Sequence, residues 1–336
     1  MPAAADPATV AEGSPMGAAE PATVRLRHRL EAALAAAVIR LLGALPPRRR
    51  YALAGRLGAW SRHLDRRHRR HARDSLALRY GAAGVEDKVR TVFRELGHLG
   101  AELPLLERRE PAGLTELVVA EEGRAHIDAM AADARGVVVL SAHLGNWELL
   151  GHLLPHYGLS PFHVVYRPLD NPLLDRHLRA NRERHGARAI DRNNASRPIL
   201  QALRRGETVA MLNDQNTPGT GRVRLPFLGE EARVPTALAR FARRTDSPIL
   251  PVFLLREGPE RFRLVALEPI EPGRYPDSEA GLRDLTAETV AATEAAIARA
   301  PAQWFWVHRR WRSKHAPRRL APGAPPPPPW RGGTLP

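Results

Sequence analysis

From Gly136 onward the chain alternates short apolar runs with stretches of helical periodicity. GVVVL (136–140), FHVVY (162–166), ARAI (187–190), TVAML (208–212), PILPVFLL (248–255) and RFRLVAL (261–267) have strand length. Helical patterns over 146–157, 172–185, 196–205 and 235–245 separate most of them. Nearly all-apolar strands joined by helical crossovers predict a parallel sheet covered on both faces. The last two runs are joined too closely for a crossover and predict an antiparallel hairpin. A helix over about 280–300 leads into QWFWVHRRWRSK. The expected fold class is α/β, a mixed, mostly parallel sheet flanked by helices.

Before Gly136 the pattern is mainly helical. Leu30, Leu34, Ala37, Leu41 and Leu45 recur at helical spacing, while Arg27, Glu31 and Arg40 fall elsewhere on the wheel. A membrane span needs about 20 apolar residues, and a central arginine costs about 2.5–3.5 kcal/mol on insertion scales. Residues 26–45 therefore read as an amphipathic helix, lying at a membrane interface or packed on the protein's own core. The basic run RRHRRHARD (66–74) is a solvated helix face. Beside such a helix, each basic residue would add roughly 1 kcal/mol toward an anionic leaflet. Residues 76–135 read as mostly helical, with turn signals at YGAAG and EPAG. The organisation expected is a flexible tail (1–24), a helical membrane-associated region (25–135), an α/β core (136–315) and a proline-rich tail (316–336).

Charge narrows the partners. The formal net charge is +15, carried almost wholly by arginine, since Lys88 and Lys314 are the only lysines. A strong positive field suits nucleic acid, an anionic membrane or phosphorylated substrates. GC-rich coding produces the same arginine bias. The absence of cysteine excludes disulfides, thiolate metal sites and a cysteine nucleophile.

In an open α/β sheet, ligands bind beyond the carboxyl ends of strands. The first such end is SAHLGNWELLG (141–151). His143 and Glu148 are five residues apart and cannot share a helix face. If Asn146 caps the helix and His143 sits in the turn, the Glu148 carboxylate could reach back to one imidazole nitrogen, leaving the other to take a proton. Gly145 would admit a ligand close to the backbone. An ordinary strand-to-helix turn holding two ionisable residues reads the same way. Arg167 ends another strand and suits a phosphate or an oxyanion, or a surface ion pair. Asn213, Asp214, Gln215 and Asn216 end a third, where turn chemistry alone also explains them. A glycine-rich turn and an apparent hairpin follow. Trp304, Trp306 and Trp311 interleave with His308, Arg309 and Arg310, a pattern that can stack bases, sit at a headgroup layer or pack into the core.

Together these blocks resemble the lysophospholipid acyltransferase superfamily. HLGNWE has its His-X4-Glu spacing. VYRPLDNP, LNDQN, VRLPFLGEEARVPTALARFARRTDSPILPVF and QWFWVHRRW follow in the order of its lipid A late (lauroyl/myristoyl) acyltransferase branch, over residues 25–315. The resemblance implies a glycerol-3-phosphate-acyltransferase-like fold and a membrane-associated O-acyltransferase at the cytoplasmic face of the bacterial inner membrane, peripheral or held by a single N-terminal anchor. The acyl group would pass from an acyl thioester, on acyl carrier protein or coenzyme A, to a glycolipid hydroxyl. A lipid A precursor is the leading acceptor, with a phosphatidylinositol mannoside as the alternative. The resemblance assigns His143 as general base and Glu148 as its charge partner. Gly145, Asn146, Arg167, Asp214, Gln215, Arg309 and Arg310 form the expected substrate-binding set.

An activated thioester needs no metal or cofactor, and without a G-x-S-x-G elbow direct transfer is favoured over an acyl-enzyme. Arg167 or the backbone amides near Gly145 are the candidate oxyanion donors. The positive field then suits an acidic acyl carrier protein and a phosphorylated glycolipid in an anionic leaflet, with no specific nucleic acid. Two rivals remain. A nucleic-acid-binding protein rests on charge and the aromatic-basic stretch, without a recognisable binding motif. A metal hydrolase would draw on His63, His68, His71 and His143, without an H-E-x-x-H motif.

Overall fold

The computed structural model describes residues 24–216 and 221–311, together with 327, 329 and 330. The two expected tails fall almost entirely outside the described residues, as does most of the glycine-rich turn after Asn216.

The N-terminal helices are α1 (Leu26–Ala44), α2 (Pro47–Ser61), α3 (Arg66–Tyr80), α4 (Val85–Arg108) and α5 (Pro111–Thr115). The chain then alternates β1 (Val118–Glu122), α6 (Arg124–Ala132), β2 (Val137–Ser141), α7 (Trp147–Leu153), β3 (Phe162–Tyr166), α8 (Pro172–Arg184), β4 (Ala187–Asp191), α9 (Ser196–Arg204) and β5 (Thr208–Leu212). The hairpin β6 (Arg222–Phe227) and β7 (Glu230–Pro235) comes next. It leads to α10 (Ala237–Thr245), β8 (Ile249–Gly258), β9 (Arg261–Ala266) and α11 (Glu279–Arg299).

Seven strands form one sheet in the order β1-β9-β8-β2-β5-β3-β4. β8 and β9 are antiparallel, as their short connection predicts, and β8, β2, β5, β3 and β4 run parallel. Every residue of β2 is buried. Val137 and Val139 pack with α7 on one face, and Val138 and Leu140 with α9 and α10 on the other. That two-sided burial is why the strand reads as an unbroken apolar run.

Two expectations need correction. Residues 118–122 are not helical: β1 joins the sheet edge beside β9, so the sheet starts within the 25–135 segment. Its VVAEE sequence is short and half-polar because only one face is covered. The helix expected over 146–157 ends at Leu153 and tightens into a 3-10 turn over Leu154–Tyr157, where Pro155 has no N–H to continue the α ladder.

α2 packs closely on α4: a Cβ at Gly97 would lie 2.2 Å from the Ala54 carbonyl oxygen. The outer faces of α1 and α2 stay uncovered. Leu30 and Leu34 are 63% and 68% exposed, and Leu57, Trp60 and Leu64 are exposed beyond them. No helix among the described residues is long and apolar enough to cross a membrane. Trp304, Trp306 and Trp311 are buried together with Phe227 of the hairpin, so they are core residues and not a stacking platform.

Candidate active site

β2 and β5 pair in register through Ser141 and Leu212. His143 and Asp214 each lie two residues beyond that last pair, so the parallel ladder delivers both to the same spot. His143 Nδ1 lies 2.8 Å from Asp214 Oδ1, and the His143 backbone N–H donates to Oδ2 at 3.0 Å. The Trp304 indole N–H also donates to Oδ2, at 2.9 Å. Asp214 is 1% exposed. Burial alone would raise its pKa, but the facing His143 charge and these three donors hold it below the usual carboxylate range. A carboxylate that accepts from Nδ1 fixes the tautomer and leaves Nε2 as the basic nitrogen. The ring is flanked by Trp147 and Phe305, at centroid distances of 5.1 and 5.8 Å.

Glu148 does not reach the imidazole. Its Oε1 accepts from Arg182 Nε at 2.7 Å and lies 2.6 Å from Arg182 Nη2. The helix begins at Trp147, with Asn146 Oδ1 capping the Leu149 N–H, and Glu148 on its first turn projects toward α8. There the Arg182 guanidinium sits 5.0 Å from the Tyr166 ring centroid, with Nη1 buried and unpartnered. The expected His143–Glu148 contact is thus replaced by His143–Asp214 and Glu148–Arg182.

Gly145 and Asn146 stand behind the histidine and do not line the cavity. Gly145 has φ +61°, and a Cβ there would lie 1.9 Å from the Leu254 carbonyl oxygen. The close approach expected of a ligand is made by the protein's own backbone. The Gly145 and Asn146 amides donate to Gln303 and Leu254 carbonyls, so neither is free for an oxyanion. The Asn146 side-chain amide donates to buried Glu102 at 2.8 Å. Glu102 also accepts from Tyr51 at 3.0 Å and from Arg256 Nη2 at 2.8 Å. Burial and the Glu102 charge push the Tyr51 phenol well above its usual range.

A cavity of about 810 Å³ opens at His143 and runs down between the sheet and α7. Glu148, Arg182, Arg167 and Gln215 contribute its polar wall, and Val139, Leu154, Phe162 and Val164 its apolar depth. The Arg167 guanidinium is mostly exposed and pairs with exposed Asp170, at 2.9 Å. Arg309 is exposed and Arg310 is buried, and neither lines the cavity. Arg310 donates to the Arg233 carbonyl and lies over Phe227. Burial lowers its pKa to about 10, partly offset by Asp214. Among the described residues no three His, Cys, Asp or Glu gather as metal ligands.

The family model for bacterial lipid A biosynthesis acyltransferases matches residues 21–313. The chain belongs to this family. This acyltransferase is similar to the lipid A biosynthesis palmitoleoyltransferase of Escherichia coli (strain K12), at 28% identity over 78% of this chain and 84% of that protein. It is 30% identical to the lipid A biosynthesis lauroyltransferase of the same strain, over 61% of this chain and 64% of that protein. A phosphatidylinositol mannoside acyltransferase of Mycolicibacterium smegmatis is 29% identical over 53% of this chain and 57% of that protein. Among solved structures, a 1-acyl-sn-glycerophosphate acyltransferase from Thermotoga maritima aligns with a TM-score of 0.35 and 16% identity, over 72% of this chain and 94% of that chain.

Arg182 is the residue of this candidate site that sequence reasoning missed. It is one of four arginines on α8, and no local spacing distinguishes the one that turns inward. The His143–Asp214 pairing had a signal, the equal offset from paired strands. Reading it requires knowing that β5 lies beside β2, although two strands intervene in sequence.

Proposed function

We propose that the protein transfers a fatty acyl group from an acyl thioester to a hydroxyl of a membrane glycolipid, with His143 as general base. The observation that carries this reading is the imidazole anchored on buried Asp214 at the mouth of a deep apolar cavity. His143 Nε2 takes the hydroxyl proton as the oxygen attacks the thioester carbonyl. The tetrahedral oxyanion is stabilised by the Arg182 charge, which Glu148 and the Tyr166 ring hold in the wall. Collapse breaks the carbon–sulfur bond, and the imidazolium returns the proton to the departing thiolate. Asp214 stabilises the imidazolium between these two proton transfers.

The cavity beside α7 follows β3 from Tyr166 down to Phe162, four residue steps or about 13 Å. An extended chain advances roughly 1.2 Å per bond, which favours a donor of about a dozen carbons. Family membership supports a lipid A precursor as acceptor. The mycobacterial relative keeps a phosphatidylinositol mannoside as the second reading. The donor is carried by acyl carrier protein or coenzyme A, and the chemistry calls for no cofactor.

The uncovered leucines of α1 and α2, with Trp60, form an apolar face beside exposed Arg66, Arg67 and Arg70. That combination supports peripheral binding to an anionic bilayer, here the cytoplasmic face of the bacterial inner membrane. The test is mass spectrometry of lipids after incubating purified protein with each thioester and each acceptor. An acylated acceptor from the wild type, missing with His143→Ala, is the expected result. Equal product from both sinks the mechanism.

A further inference from the structure

The helix α2 has two faces. Leu53, Leu57 and Trp60 recur at helical spacing and are exposed, whereas Tyr51, Ala54 and Gly55 fall on the other side and are buried. That buried side meets α4 backbone to backbone: a Cβ at Gly58 would lie 2.4 Å from the Phe93 carbonyl oxygen. From it a polar chain runs inward. The Tyr51 hydroxyl donates to Glu102 Oε1 of α4 at 3.0 Å, and the Asn146 side-chain amide donates to Glu102 Oε2 at 2.8 Å. The other amide atom of Asn146, Oδ1, accepts the Leu149 N–H in the first turn of α7. Two side-chain hydrogen bonds thus separate a helix with an uncovered apolar face from the turn that presents His143.

We propose that Glu102 is a positioning residue for acyl transfer, which holds the His143 turn, through the Asn146 amide, in step with the bilayer-facing helix α2. Asn146 follows His143 by three residues and does not line the cavity. Its amide satisfies both neighbours in one orientation only, nitrogen toward Glu102 and oxygen toward Leu149. Glu102 is fixed in turn by Arg256 of β8, which donates to both of its oxygens and to Glu95 at 2.7 Å. Glu95, Glu102, Asn146 and Arg256 are all buried. Well-packed apolar groups of the same volume are often as stable as a buried ion cluster or more so. Such a cluster is therefore an inefficient way to hold α4 on β8, but a specific way to fix one geometry. This inference rests on the acyl-transfer reading above and adds what keeps the base in place.

Exchanging donor and acceptor tests the contact. In Glu102→Gln the new amide nitrogen meets an Arg256 N–H whichever way it turns. In Asn146→Asp two carboxylates oppose each other where the amide met Glu102. Each variant should lower kcat by about 10²-fold, the scale of a 1 Å misplacement, with donor and acceptor KM little changed. The double variant again sets one donor against one acceptor and restores the net charge of the cluster. It should turn over about tenfold faster than either single variant, the scale of one recovered hydrogen bond to a charged group. A double variant no faster than the better single one overturns the proposal. So do single variants that lose Tm but keep the wild-type kcat.

Hydrogen–deuterium exchange over residues 143–150 gives a readout that needs neither turnover nor the cluster variants. Vesicles of phosphatidylglycerol and phosphatidylcholine, bound to the outward face of α2, should slow exchange of the wild-type Leu149 and Leu150 amides. The expected factor is about fivefold or more, the lower end of ordinary coupling between two sites. Tyr51→Phe removes one buried hydroxyl and keeps the outward face, so it should sediment with the same vesicles yet show no slowing. Wild-type exchange that vesicles leave unchanged, or slowing equal in Tyr51→Phe, overturns the tie to α2 even for an active enzyme. A wild type that shows the exchange pattern yet transfers no acyl group overturns the acyl-transfer reading, and with it the role of Glu102 in that reaction.

Discussion

His143 Nδ1 meets Asp214 Oδ1 at 2.8 Å across adjacent parallel strands, while Glu148, five residues further along the chain, is bound to Arg182. Two carboxylates therefore serve two different partners, and their substitutions should differ in kind. Asp214→Asn keeps the size of the side chain but offers an amide where Nδ1–H needs an acceptor. In serine-hydrolase triads the matching change lowers kcat about 10⁴-fold. A fall of about 10³–10⁴-fold in kcat, with little change in KM, is expected from steady-state kinetics.

Glu148 acts through Arg182 in this account. Glu148→Ala and Arg182→Ala should each lower turnover by about 10²-fold, the scale of losing one oxyanion stabiliser. The double variant should be no worse than the more damaged single one. Multiplying losses in the double-mutant cycle would separate the two residues and return Glu148 to an independent role.

Asp214 also carries a stability signature. Its folded pKa lies below its unfolded value near 3.8. The stabilisation is therefore fully present above about pH 4 and is lost as pH falls through the folded pKa. Thermal denaturation of Asp214→Asn should show a shallower decline in Tm below about pH 4 than wild type. Parallel curves would mean that Asp214 is not held ionised by its partners.

Gly145 tests the backbone of the turn. At φ +61°, with the Leu254 carbonyl oxygen where a Cβ would go, Gly145→Ala adds left-handed strain of about 1–2 kcal/mol and forces the turn away from β8. A drop in Tm of several degrees or more, with loss of activity, is the expected outcome. A variant as stable and active as wild type would contradict the close approach.

The apolar face of α1 and α2 predicts bilayer binding. Trp60→Glu should weaken sedimentation with anionic vesicles by tenfold or more, since a buried large apolar side chain contributes about 1.5–3 kcal/mol. Added salt should weaken the wild type further by screening the arginines. Unchanged partitioning of Trp60→Glu would leave that face to another role.

Much of this was legible because strand period and burial leave local marks. FHVVY and TVAML are strands end to end, and Asn146 caps its helix as its residue type suggests. β1 was illegible because a five-residue edge strand ending in two glutamates has neither a helical nor a buried-strand pattern. The site divides in the same way. His143 in a turn follows from its neighbours, but its acceptor comes from a strand placed beside β2 by topology. Glu148 looked like the partner because sequence shows nearness along the chain, whereas Arg182 arrives through the crossover after β3.

The most direct measurement is single-turnover acyl transfer, with excess enzyme, a labelled acyl thioester and acylated glycolipid in anionic vesicles, for wild type, His143→Ala and Asp214→Asn. The account predicts transfer of label to a glycolipid hydroxyl by wild type, with the chemical step slowed by about 10³-fold or more in both variants. A wild-type rate retained within about tenfold by His143→Ala would contradict it.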